Sequence, residues 1–289
     1  MPRWSRLAAV GAAAAAYSFY EPYRYRLEER VVPLARPIDE ITVLHISDMH
    51  LHPRDTRLIR FLEELPSRLG AEPDLVVATG DLIDGDAGIE PVISSLAALT
   101  GRFGRFYVLG SHDYYQAAKP GYTKYFTGNR EASGATRTAS ERLERGLQDQ
   151  GWTSLKNTTK VLATAVGKIR VAGVDDPYIY RHRTDHIETR PDEVLALALV
   201  HAPDVVSEWA LNGFDLIVAG HTHGGQVRIP GLGAAVTNCS LPTALASGLH
   251  RIGDSWLHVS RGLGTGRFAP VRFACTPEAT LLKLRGRTD

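Results

Sequence analysis

The sequence predicts an α/β protein organised around a parallel sheet that is buried on both faces. Two observations carry that expectation. Short, continuous apolar runs (ITVLHI at 41–46, DLVVAT at 74–79, RFYVLG at 105–110, LALALVHAP at 195–203 and FDLIVAG at 214–220) alternate with segments of helical spacing. Runs of this kind, without polar alternation, belong to strands covered on both sides. The bulk composition agrees: 289 residues with 44% hydrophobic and 22% charged side chains are globular values, which exclude a disordered chain, a collagen and a polytopic membrane protein. The formal net charge of +1 gives no sign of a nucleic-acid partner.

Element by element, the N-terminus departs from the rest. Arg3 and Arg6 precede an apolar, Ala-rich run from Leu7 to Tyr20, followed by a polar stretch from Glu21 to Arg30. Fourteen helical residues reach only about 21 Å, short of the ~30 Å hydrocarbon core. A signal-peptide core, an uncleaved anchor, a membrane-surface helix and an Ala-rich helix packed on the domain all remain open. Tyr17, Tyr20, Tyr23 and Tyr25 favour a membrane interface. Arginines flank both sides (Arg24, Arg26 and Arg30 follow the run), so sidedness is not set. Residues 1–36 are therefore expected to be a hydrophobic signal or anchor segment with its linker, giving membrane association, and residues 37–289 to be one catalytic-sized domain.

Within that domain, Arg57 to Leu69 places Leu58, Phe61, Leu62, Leu65 and Leu69 on one helical face. Pro91 to Leu99 and Glu141 to Gln150 read as further helices. Residues 114–140, rich in Gly, Thr, Ser and aromatics, break the rhythm and form either a lid or a plain surface loop. KVLATAV and KIRVAGV (160–174) read as a hairpin turning at Gly167, and the tail from Gln226 to Leu284 as strand and turn. Cys239 and Cys275 are too few for a disulfide framework and read best as two thiols.

The chemistry lies where the strands end. Asp48-Met49-His50, Gly80-Asp81, Gly110-Ser111-His112-Asp113 and Gly220-His221-Thr222-His223 each close an apolar run, and His201 closes a fifth. Open α/β sheets bind ligands beyond the carboxyl ends of their strands. Carboxylate and imidazole donors suit Mn, Fe, Zn, Co or Ni better than Ca. A lone Asp-x-His means little; five such fragments at successive strand ends mark a metal site.

The order D-x-H, G-D, G-x-H-D, H and G-H-x-H, with the longer stretches HISDMHL (45–51), GDLID (80–84), LVHAPD (199–204) and GHTHGGQ (220–226), resembles the calcineurin-like metallophosphoesterase superfamily over residues 41–285. The likeness is to its bacterial branch with an N-terminal hydrophobic segment, related to UDP-2,3-diacylglucosamine pyrophosphohydrolases. The resemblance implies a four-layer α/β/β/α sandwich and two divalent metal ions, with Mn, Fe or Zn the best matches. It implies a first metal on Asp48, His50 and His223, a second on His201 and His221, and Asp81 bridging them through its two oxygens. An Asn of the family pattern, which would complete the second site, is replaced by Ser111, whose hydroxyl is the weaker ligand. His112 matches the catalytic histidine, with Asp113 orienting it through the other ring nitrogen; Asp84 is either a second support or a turn residue.

The implied activity is hydrolysis of a phosphodiester, pyrophosphate or phosphomonoester by metal-bridged hydroxide, on a lipid- or nucleotide-linked substrate. The competing expectation is a non-catalytic scaffold that binds a partner protein, favoured by Ser111 and opposed by His112. The other histidines carry no motif: His45 reads as a core residue, His52 as surface, His182 and His186 as parts of a charged loop, and His250 and His258 as members of C-terminal strands.

Overall fold

The computed structural model describes residues 3–116, 136–187, 192–207, 213–234, 236–237 and 239–286. In chain order the helices are α1 (Arg3–Tyr20), α2 (Thr56–Leu69), α3 (Ile89–Leu96), α4 (Ser111–Tyr114) and α5 (Ser140–Asp149). Most of the 114–140 insertion lies outside the described residues. The strands begin with β1 (Arg26–Pro33), β2 (Ile41–Ile46), β3 (Leu75–Thr79), β4 (Gly104–Val108) and β5 (Trp152–Ser154). They continue with β6 (Thr158–Thr164), β7 (Gly167–Gly173), β8 (Glu193–Val200) and β9 (Leu216–Ala219). The last are β10 (Arg228–Ile229), β11 (Gly233–Ala234), β12 (Gly248–Ile252), β13 (Ser255–Val259) and β14 (Glu278–Arg285).

Two six-stranded sheets result, ordered β1-β14-β2-β3-β4-β5 and β12-β13-β9-β8-β7-β6, with β10 and β11 forming a separate small ribbon. β2 to β5 run parallel, as do β7, β8, β9 and β13. β6 and β12 close the second sheet as antiparallel edges. The absence of polar alternation in the strands is explained by packing on both faces. Val43, Val77, Phe106 and Val108 meet Ile169, Leu197, Leu199 and Val218 between the sheets. The alternate residues Leu44, Ile46, Val76 and Ala78 pack on Leu58, Phe61, Leu62, Val92 and Leu143 of the helices. On the far face Ala196, Ala198 and Ile217 are covered by Val205, Val206 and Phe214. The protein is thus a mixed α/β fold with two stacked sheets. The parallel strands of both end on one edge, and that edge carries the site.

The N-terminal segment departs from expectation. Residues 26–33, expected in the linker, form β1, which pairs with β14 over its whole length. Val32 and Leu34 are buried between the sheets. Glu21 is buried too, accepting hydrogen bonds from the Cys275 amide (3.2 Å) and the Thr276 hydroxyl (3.0 Å). A polar run gave no strand signal because an edge strand exposes alternate residues to water. α1 itself is largely exposed along Ala8–Ala16 and touches the domain only at its end, where Tyr17 meets Phe273 edge-on and the Arg272 amide donates to the Ser18 carbonyl. No described helix is long and apolar enough to cross a membrane.

Candidate metal centre

The strand ends bring all six expected histidine and carboxylate ligands together. β2 runs out into Asp48 and His50, β3 into Asp81, β8 into His201, and β9 into His221 and His223. Five of the six leave their strands in the left-handed region: Asp48 (φ 48°), His50 (44°), Asp81 (50°), His221 (70°) and His223 (48°). A non-glycine residue there costs about 1–3 kcal/mol and persists only where its surroundings over-determine it. Here close backbone approach supplies that constraint. A Cβ at Gly220 would overlap the Ser47 hydroxyl and Asp48 Oδ2, and one at Gly110 would overlap Asp81 and His201.

Three overlapping donor groups share one centre, and one of them, His50, Asp81 and His112, lies across the other two. Asp48, His50 and His223 form the first and Asp81, His201 and His221 the second, with ligand atoms in each within 4.8 Å of one another. His50 Nε2 faces His223 Nε2 at 3.1 Å, and His223 Nε2 lies 3.6 Å from Asp48 Oδ1. His221 Nδ1 faces His201 Nε2 at 3.3 Å. Asp81 Oδ2 is 3.5 Å from His50 Nε2 and 3.3 Å from His201 Nε2. The bridge therefore differs from the expected one. Oδ1 of Asp81 accepts the His112 amide (2.8 Å), so a single oxygen, Oδ2, faces both groups. Ring nitrogens converging on one another and on carboxylates, in a buried place, fit divalent cations well. Nδ1 of His201 donates to the Thr79 carbonyl (2.7 Å), which leaves Nε2 free to ligate.

The electrostatics follow from burial and from Asp81. Burial pushes the Asp48 carboxyl up to about 6 against the pull of His201, and it depresses His50 to about 4. Asp81 resists the same burial because His201, His112 and His50 hold it well below the usual carboxylate range. Burial would also depress His112, yet Asp81 and Asp84 together push it up to about 9.

His112 sits beside His50, with ring centroids 4.7 Å apart, and its Nδ1 lies 3.7 Å from Asp84 Oδ1. Asp113 does not orient it. Successive residues of a helical turn point about 100° apart. Asp113, fully buried, instead accepts the amides of Leu82 (2.8 Å), Ile83 (3.1 Å) and Gly110 (2.9 Å), locking two ligand loops together. The carboxylate that faces the His112 ring is that of Asp84. Ser111 opens the same helix, half-buried, one residue after Gly110, whose backbone packs on Asp81 and His201.

Three further residues belong to the site and carry no motif. Asp176, buried beyond the end of β7, has one carboxylate oxygen without a partner, and it adds to Asp81, the larger influence, in holding His201 well above the ordinary histidine range although burial opposes it. Tyr178 packs against His221 with ring centroids 4.6 Å apart and planes tilted by 46°. The signal for both was the apolar run KIRVAGV ending in Asp175-Asp176, the pattern of the other strand ends. Arg272 is fully buried and donates to the carbonyls of Arg261 (2.8 Å) and Gly262 (3.3 Å), bracing the loop whose Gly264 amide donates to the Asp48 carbonyl (2.6 Å). Sequence offers no signal for it.

Comparison with known proteins agrees with the site. The calcineurin-like phosphoesterase family pattern matches residues 41–225. The metallophosphoesterase YkuE of Bacillus subtilis is 28% identical over 279 residues, 92% of this chain and 88% of its own. A metallophosphoesterase of Aquifex aeolicus is 29% identical over 286 residues, covering 94% and 96% of the two chains. The phosphodiesterase YaeI of Escherichia coli is 26% identical over 247 residues, covering 84% and 81%. With its ligand-bearing strand ends, its buried donor groups and that match, the chain belongs to the calcineurin-like phosphoesterase family and is a metal-dependent phosphoric ester hydrolase.

Proposed function

We propose that the protein hydrolyses a phosphodiester, pyrophosphate or phosphomonoester, using two divalent cations (Mn, Fe or Zn) that share Asp81. Asp48, His50 and His223 would hold one; His201 and His221 would hold the other, with Ser111 or a water beside them. Divalent cations held there would supply Lewis-acid activation of a water and charge neutralisation for the phosphoryl group. The chain's own residues do the rest. Asp81 ties the ligand groups to the His112 backbone, so the imidazole is positioned by the same carboxylate that links them. His112 holds a proton for the leaving oxygen, and Asp84 keeps the ring charged and aimed.

The observation that carries this reading is Asp81 Oδ2 facing both histidine groups within 3.5 Å, beside a raised His112. A partner-binding scaffold has no use for a proton held there. The test is turnover of bis-p-nitrophenyl phosphate and p-nitrophenyl phosphate with Mn, Zn and Mg compared. Metal-dependent hydrolysis of at least one of the two is expected; no turnover with any cation would leave the scaffold reading.

A lipid-linked substrate met at a membrane surface fits the N-terminus. Val10, Phe19 and Tyr20 of α1 are exposed, and at its base Arg24, Arg57, Arg60 and Arg68 line a pocket with Tyr23 and Tyr25, against one acid, Glu64. Exposed apolar residues above a basic, aromatic rim suit an anionic lipid surface. Flotation with phosphatidylglycerol vesicles checks it: the full chain should float, and a chain lacking residues 1–16 should not.

A further inference from the structure

Between the sheets, just below the metal edge, two histidines meet. His45 of β2 and His258 of β13 are both fully buried, and their Nδ1 atoms lie 2.9 Å apart. His45 Nε2 lies 2.8 Å from the Thr79 hydroxyl. That hydroxyl donates to Ser47 Oγ (2.7 Å), and Ser47 donates to Asp48 Oδ2 (2.6 Å). Five residues from both sheets thus form one hydrogen-bonded line ending on a ligand of the first donor group.

The direction of every bond in the line is forced from one end. An ionised carboxylate only accepts, so the Ser47 proton points to Asp48. Ser47 Oγ must then accept from Thr79, and Thr79 Oγ1 must accept from His45. That places the His45 proton on Nε2 and leaves Nδ1 bare. His258 must therefore carry its proton on Nδ1, which leaves its Nε2 a bare acceptor. At the far end His258 Nε2 is buried with no hydrogen-bond partner, so the line stops there. Burial keeps both rings neutral, with His45 depressed to about 3 and His258 well below its ordinary value.

We propose that His258, His45, Thr79 and Ser47 form a positioning relay that fixes Asp48 as a metal ligand. Aligned donors polarise one another, so the last bond is stronger than an isolated Ser–Asp contact. Oδ2 accepts from Ser47 and from the His221 amide (3.1 Å), and Oδ1, which accepts from the same amide (2.9 Å), faces His223 at 3.6 Å; the relay supplies the side-chain part of that support. Thr79 also couples the line to the second donor group, because its carbonyl accepts from His201 Nδ1 (2.7 Å). An unsatisfied acceptor and two buried imidazoles are costly in a core that Leu or Val could fill. Holding a ligand in place accounts for their presence. The relay rests on the metal-site reading, but its arrangement is measurable without metal or substrate.

The deciding experiment is nitrogen NMR of the histidine rings at pH 7.5, metal-free. His45 should show a protonated Nε2 and a bare Nδ1, and His258 the reverse. The opposite tautomer on either ring, or a charged imidazole, overturns the proposal. A titration with Mn then tests the consequence. His45→Phe keeps the ring and removes the donor, whereas His45→Gln keeps a donor for Thr79. The Phe variant should bind one of its two Mn ions about 10–100-fold more weakly, the usual effect of losing a ligand's hydrogen-bond support. The Gln variant should stay close to the parent. Equal losses in both variants, or equal weakening of both sites, would contradict a relay directed at Asp48. If the Phe variant does not fold, the ring tautomers of the parent still decide.

Discussion

The metal edge and the N-terminal helix are both costly features for a folded chain, yet they are retained by opposite means. At the edge, five ligand residues with positive φ and several buried charges are locked in by backbone packing, by Asp113 and by Arg272. α1 displays an Ala-rich, apolar surface to solvent and, among the described residues, is tied down through its last turn. Strain held by many neighbours cannot be relieved by a small change, so substitutions at the edge should act on chemistry and metal together. A helix held at one end can be removed with little consequence for the fold. What separates the two regions is how many independent constraints each residue has, not how unusual it is.

The sharpest way to break that contrast is at Asp81. Asp81→Ala should abolish turnover and empty both metal positions, because one oxygen serves both donor groups. Metal content measured beside activity checks this; loss of one ion alone would show that the groups are independent. Removing His112 should separate chemistry from binding. His112→Ala is expected to slow hydrolysis about 10²–10⁴-fold with both metals retained. Its pH behaviour sharpens the point. The raised value of about 9 reflects the negative charge of Asp81 and Asp84. Cations on Asp81 cancel part of that attraction, so the NMR titration of His112 should move down on metal loading. A general acid loses activity as pH rises through its pKa, so the alkaline limb of the rate profile should vanish in the variant.

Truncation tests the other region. Deleting residues 1–16 should leave the melting temperature and activity nearly unchanged. Deleting through Pro33 removes β1, the Glu21 contacts and buried Val32, and should cost about 3 kcal/mol or more by denaturant unfolding. Equal behaviour of the two truncations would erase the distinction between tethered helix and integral strand. The smallest effect is expected at Ser111. Ser111→Asn should tighten the weaker metal position modestly and reduce the Mn needed for half-maximal activity. An unchanged or weaker dependence would show that a hydroxyl or water already serves there.

The sequence made the edge legible because ligands at strand ends carry a double signature, an apolar run followed by Asp or His. Asp48, His50, Asp81, His201, His221 and His223 all close such runs, and the structure gathers them into candidate donor groups. What escaped were residues defined by contacts distant in sequence. Arg272 is visible only through carbonyls that the fold brings to it. β1 escaped because edge strands lack the buried pattern of central ones, and Asp113 was misjudged because spacing cannot say which neighbour a side chain faces. His45 and His258 were read as unremarkable core and strand residues; their pairing spans both sheets.

The central claim is that one carboxylate joins two metal positions, and anomalous diffraction from Mn-loaded crystals tests it most directly. Two peaks about 3.5–4 Å apart are expected, the spacing of two-metal hydrolases. One should lie among Asp48, His50 and His223, the other beside His201 and His221, with Asp81 Oδ2 touching both. A single peak, or two peaks of which only one contacts Asp81, would contradict the account.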